Sequence, residues 1–80
     1  MNPTPRHPAT EHLLSLFDHG HLPDHLRKVA APIAVLAYQM ADTLSDGPEL
    51  SSGLRKLWEA KNCLVVQAVL DHRTTAEVTE

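Results

Sequence analysis

The sequence predicts an all-α fold: an antiparallel helical hairpin with a short N-terminal helix, assembling into a compact homo-oligomer. Three observations carry that prediction. Apolar residues recur at helical spacing over two long stretches, and one strong turn signal, Ser45-Asp46-Gly47-Pro48-Glu49, separates them. The chain has only 80 residues and a single cysteine, so neither a large core nor a disulfide stabilises it. Its apolar surface exceeds what two helices can cover, and a symmetric interface between copies accounts for the surplus.

The elements follow in order. Residues 1–9 carry three prolines and little to bury, which predicts a loose arm. Thr10 caps a short helix over about 10–19, with Leu13, Leu14, Leu16 and Phe17 on it and Gly20 as its stop. Pro23 and Asp24 suit the first turn of a long helix over about 23–44. Its stripe is Leu22, Leu26, Val29, Ile33, Leu36, Met40 and Leu44. Pro32 removes one backbone hydrogen bond and crowds the carbonyl of Lys28, so a kink or a local loosening is expected there. An outright break fits less well, because the stripe keeps its phase on both sides.

Gly47 suits a left-handed conformation after this helix, and Pro48 and Glu49 suit the start of the next, over about 48–73. Leu50, Leu54, Leu57, Lys61, Leu64 and Ala68 form its stripe, and Trp58, Val65 and Val69 widen it. Residues 74–80 read as a polar tail. A short turn forces the two long helices antiparallel. The resulting register sets Met40 against Leu54, Leu36 against Trp58, Ile33 against Lys61 and Val29 against Val65. The surplus at Trp58, Val65 and Val69 predicts an interface between copies; the alternative is that the short N-terminal helix covers it.

The totals restrict function. Ten acids against seven bases leave a formal charge of −3, which argues against a general binder of duplex nucleic acid. A small anion needs only a few local cations and stays open. No stretch approaches the roughly 20 apolar residues of a membrane span. MNPTPRHPAT lacks the apolar centre of an export signal, so an intracellular setting is expected.

Lys61 is the most informative single residue, since it interrupts the stripe between Leu57, Trp58, Leu64 and Val65. Its amine must reach water or an anion. Either the stem packs while the amine escapes to solvent, or the cation points into a pocket between protomers and meets a phosphate. Arg27 and Arg55 are the better phosphate ligands among the flanking cations, because guanidinium presents a planar fork of donors. FDHGHLPDHLRK carries His19, His21 and His25. Pro23 puts His21 at or outside the helix start, so the rings need not share a face. No cysteine or third carboxylate stands at a matching spacing, and no metal or other cofactor is expected. Nothing pairs a nucleophile with a base, so no enzymatic activity is expected either. Planar stacking remains: Phe17, His19 or His21 at this junction can lie against a nucleobase.

HLPDHLRKVAAPI, and then LSDGPELSSGLRKLWEAKNCLVVQAV, resemble small proteins of actinobacterial phages. The shared features are HLP-x-HL, a mid-helix proline, a DGPE turn and an LRK-L-x-EAK segment, covering about Phe17 to Ala68. That branch is similar to the anti-CBASS helical-hairpin family, phage sponges for cyclic oligonucleotides. The resemblance implies an all-α homo-oligomer, a hexamer in characterised members. It implies binding of cyclic di- or trinucleotides in the host cytoplasm without cleavage, which keeps a nucleotide-activated defence silent. In that family an aromatic residue ahead of the first long helix stacks on a base, which here falls to Phe17 or His19. A lysine in that helix reaches phosphate in the family. Ala31, Pro32 and Ile33 occupy the neighbourhood here, and Lys61 is the residue placed to supply the cation from the other arm. The competing expectation is a helical protein-interaction module with no small-molecule ligand, whose apolar face recruits another protein.

Overall fold

The computed structural model describes residues 6–78, with side chains through Thr74. Among the described residues the protein is all-helical: α1 spans Pro8–Ser15, α2 spans Asp24–Thr43 and α3 spans Pro48–Val78, with no strand. Residues 1–5 of the expected arm and 79–80 of the expected tail lie outside the described residues.

α1 starts earlier than the sequence suggests. Pro8 occupies its first turn, and the Nδ1 atom of His7 accepts the amide N–H of Ala9 at 3.0 Å, so His7 is the cap. Thr10 has a different task. It is 1% exposed, and its hydroxyl donates to Asp46 Oδ1 at 2.7 Å, while the N–H of His7 donates to Asp46 Oδ2 at 3.0 Å. The turn between α2 and α3 thus holds the start of α1. These bonds, the Thr10 hydroxyl first and the His7 amide next, lower the Asp46 carboxyl from its ordinary value. Arg6 adds to the latch: it hydrogen-bonds Asp42, lies 3.6 Å from Glu11, and stands 5.6 Å over the Tyr38 ring. α1 stops at Ser15, and Leu16, Phe17 and Asp18 donate to Leu13, Leu14 and Ser15 in a tighter i to i+3 pattern.

α2 runs without a break through Pro32, whose side is exposed, so water can reach the Lys28 carbonyl that the proline leaves without its helical donor. Neither Gly20 nor Gly47 is left-handed: no described glycine has a positive φ. α2 ends instead on an extended Leu44, whose N–H bonds Met40 O, and the chain enters α3 through Ser45–Gly47. α3 runs on to Val78, beyond the end expected for it.

α2 and α3 pack along each other, and the buried face of α2 is not the leucine stripe. It is Ala30, Ala34, Ala37 and Ala41, at helical spacing, with Ala37 fully inaccessible. Small side chains let α3 approach closely, and Leu50 and Leu54 fill the space between the helices. Leu13, Leu14 and Phe17 complete the core, with Leu16, Ile33, Leu57 and Trp58 packed at its edge.

Successive helical residues are turned by about 100°, so Tyr38 and Leu36 lie on opposite flanks of Ala37. Arg6 sits on Tyr38, which places α1 on that flank. Leu36 is 42% exposed on the other flank; Leu44, at the end of α2, and Leu64, on α3, are also exposed. The sequence stripe therefore borders the alanine face: Leu26, Val29 and Ile33 are half-buried, with Ile33 against the core, while Leu36, Met40 and Leu44 are exposed. Trp58, expected as part of the surplus, packs against the core that α1 completes. Farther along the pair, His25 of α2 stacks on His72 of α3 with ring centroids 4.0 Å apart and planes 19° from parallel.

Candidate functional site

The C-terminal end of α1, the turn that follows it and the middle of α3 enclose a groove of about 590 Å³. The sequence builds it in three steps. Leu14 and Phe17 are anchored in the core, so the chain leaves α1 close to α3. Asp18 then accepts the N–H of Gly20 at 3.2 Å, the N–H of Leu22 donates to His19 O at 3.1 Å, and these bonds form a compact turn. Pro23, extended and without a side-chain cap, redirects the chain into α2. The turn presents Asp18, His21 and Leu22 to the groove, α1 presents Ser15 and Leu16, and α3 presents Lys61, Asn62, Val65 and Val66.

The lining is mixed. Lys61 is half-buried and lines the groove. Asn62 supplies two donors and an acceptor beside it. Asp18 stands 4.0 Å from His21 Nδ1, and the leucine and valine side chains form apolar walls. Ser15 donates its hydroxyl to the carbonyl of His12 at 2.5 Å, away from any base.

No family model, curated protein or solved structure matches the chain.

Of the six residues singled out in the sequence, the structure brings two together, His21 and Lys61. Phe17 is 2% exposed in the core, so neither face of its ring is open to a base in this chain. His19 is half-buried and its Nδ1 lies 3.2 Å from Phe17 O, which ties it to the backbone of the turn. Arg27 pairs with Asp24 inside the first turn of α2. Arg55 belongs to a second groove of about 390 Å³, between the start of α1 and the start of α3. Its guanidinium stands 5.3 Å over the Trp58 ring. The three junction histidines diverge, His19 to the backbone, His21 to the groove and His25 to His72. Among the described residues no group of three or more His, Cys, Asp and Glu could hold a metal ion.

Sequence reasoning missed Ser15, Asp18 and Asn62. Asn62 follows Lys61 directly, and its place on the flank beyond the apolar stripe is a usable signal. Ser15 and Asp18 join the site only because α1 lies along α3, which no periodicity encodes.

Proposed function

We propose that the protein is a non-enzymatic sponge that binds and sequesters cyclic di- or trinucleotides, and that it does so as a homo-oligomer, a hexamer of antiparallel hairpins, in the cytoplasm of a phage-infected host. One observation carries the reading: Lys61, Asn62 and His21 converge on a groove with apolar walls and a volume inside the range of small-molecule sites. A phosphodiester needs one cation, which Lys61 supplies, and a base needs flat apolar walls and a few polar edges. The resemblance of the HLP, DGPE and LRKLWEAK segments to phage sponges supplies the cyclic character of the ligand. Binding without cleavage is consistent with the site, since Ser15 is turned to a carbonyl and His21 is too far from Asp18 for a strong hydrogen bond. No described helix is long and apolar enough to cross a membrane.

A thermal-shift and calorimetric panel of cyclic di- and trinucleotides tests this. A ligand that binds only the native state stabilises it by about 2.7 kcal/mol at 100 times Kd. Lys61→Ala should abolish that shift and leave the unliganded midpoint within a few degrees. A panel with no shift and no heat rejects the sponge.

A second reading rests on a different observation. Leu36, Met40, Leu44 and Leu64 leave apolar area uncovered beside α2 and α3. A protein-interaction module would use that face, would ignore nucleotides, and would tolerate Lys61→Ala.

A further inference from the structure

The second groove has a different chemistry from the first. Its lining is Ala9, His12 and Leu13 from α1 with Ser51, Ser52, Arg55 and Lys56 from α3. Every functional side chain there is a cation, an imidazole or a hydroxyl, and no carboxylate lines it. Arg55 and Lys56 make no ion pair among the described residues, in a chain whose acids outnumber its bases. Glu59 stands one turn along α3 from both, at the spacing that favours pairing on a helix, yet Arg55 lies over Trp58 instead. Glu11, the acid of α1 nearest in sequence to His12, is directed to Arg6 at 3.6 Å. The indole holds the guanidinium by cation–π attraction, which does not itself occupy the N–H donors with an acceptor.

We infer that this groove is a separate anion site that takes a phosphate monoester or free inorganic phosphate, a tetrahedral dianion. The charge count distinguishes it from the first groove. There a single lysine is accompanied by Asp18, which suits one singly charged phosphodiester group of a larger ligand and not a dianionic phosphate. Here Arg55 and Lys56 stand together without an acid, and His12, Ser51 and Ser52 add hydrogen-bonding groups around them. A phosphate monoester carries about −1.5 to −2 charge at neutral pH and three acceptor oxygens, whereas a diester keeps one charge. Arg55 offers the two-pronged contact, Lys56 a point charge, and the serine hydroxyls close the remaining oxygens. The site does not depend on Lys61 and stands whether or not the first groove binds cyclic nucleotides.

The test is an amide and arginine-side-chain NMR titration of the full chain at pH 7.5 and fixed ionic strength. The probes are inorganic phosphate, a nucleoside 5′-monophosphate and dimethyl phosphate. Saturable shifts confined to His12, Ser51, Ser52 and the Arg55 Nε–H are expected with either of the first two. The tighter of those two identifies the source, free phosphate or a ligand-borne monoester. Dimethyl phosphate should bind roughly tenfold more weakly, for want of the second charge. Arg55→Gln should weaken binding by about tenfold or more, Arg55→Lys should restore only part of it, and Lys28→Gln, which removes a remote cation, should leave it unchanged. The inference is overturned by the absence of a saturable shift, by shifts spread equally over Lys28 and Arg73, by equal affinity for the diester, or by an Arg55→Gln variant that binds as the parent does.

Discussion

Exchanging the roles of two adjacent residues, Leu36 and Ala37, tests the packing of α2 most sharply. Ala37 is fully inaccessible within the core cluster that joins α2 to α3 and α1, and Leu36 beside it is 42% exposed. Ala37→Leu inserts three carbons where no space is open. Overpacking of this kind costs about 1–3 kcal/mol, and for a chain of this size each kcal/mol lowers Tm by roughly 4–8 °C. The variant should therefore melt about 4–24 °C below the parent. Leu36→Ala removes a side chain that is largely in water and places the best helix former in the helix, so its cost should stay below about 1 kcal/mol. Had the leucine stripe faced α3, the order would be reversed: Leu36→Ala would cost about 2–5 kcal/mol, as buried leucines do, and Ala37→Leu would be nearly neutral. Urea unfolding followed by circular dichroism gives both values. It must be run at several protein concentrations, because a contribution of Leu36 to contacts between copies rises with concentration and a contribution within one chain does not. A Leu36→Ala loss larger than that of Ala37→Leu, independent of concentration, refutes the alanine-face packing.

Two further outcomes follow from the contacts that hold the ends of the helices. Asp46 has its carboxyl pK lowered in the folded protein, so it stabilises the fold fully above the ordinary aspartate range and loses that contribution as pH falls through its folded value. Thr10→Val should lower the melting midpoint at neutral pH and flatten its decline in acid, and in an Asp46→Asn background the same change should have a smaller effect. At the opposite end, His72→Ala removes the ring that covers His25, and the first turn of α2 should exchange its amide hydrogens faster while the Ala37 region keeps its protection. Equal acceleration at both places contradicts a local clamp.

The helix pair was legible because its signals are local. Helical periodicity and the Ser45–Glu49 punctuation locate α2 and α3 to within a residue or two at three of their four ends, the exception being α3's C-terminus. The buried face of α2 was misread for a physical reason. A stripe of leucines and a stripe of alanines share the same period, and hydrophobicity favours the larger side chains. Which stripe is buried depends on how closely α3 approaches, and that is a property of both helices together. The end of α3 was placed too early because Arg73-Thr74-Thr75 reads as polar and β-branched, whereas a helix continues through such residues when nothing interrupts its backbone bonding. Lys61 and His21 line one groove within a single chain, whereas the sequence alone sets Lys61 toward a pocket between protomers and His21 at a stacking junction. Phe17 did not, because an aromatic ring next to a turn looks identical in sequence whether it closes a core or opens toward a ligand.

Both grooves depend on the placement of α1. Its start is held by Asp46 through Thr10 and His7 and by Asp42 through Arg6, and its end by Leu14 and Phe17 in the core. Between these anchors it lies beside α3, with the Arg55 groove near the first anchor and the Lys61 groove near the second. The two anchors differ in kind: hydrogen bonds and charge at an exposed turn, and apolar burial at the core. Acid or high salt weakens the first and leaves the second largely intact. Loosening at the Asp46 end moves His12 relative to Ser51 and Ser52, while Ser15 and Asp18 stay fixed by Phe17. The two grooves should therefore lose their shape under different conditions, the cationic one as pH falls below the ordinary aspartate range, and the one around Lys61 only when the core itself unfolds.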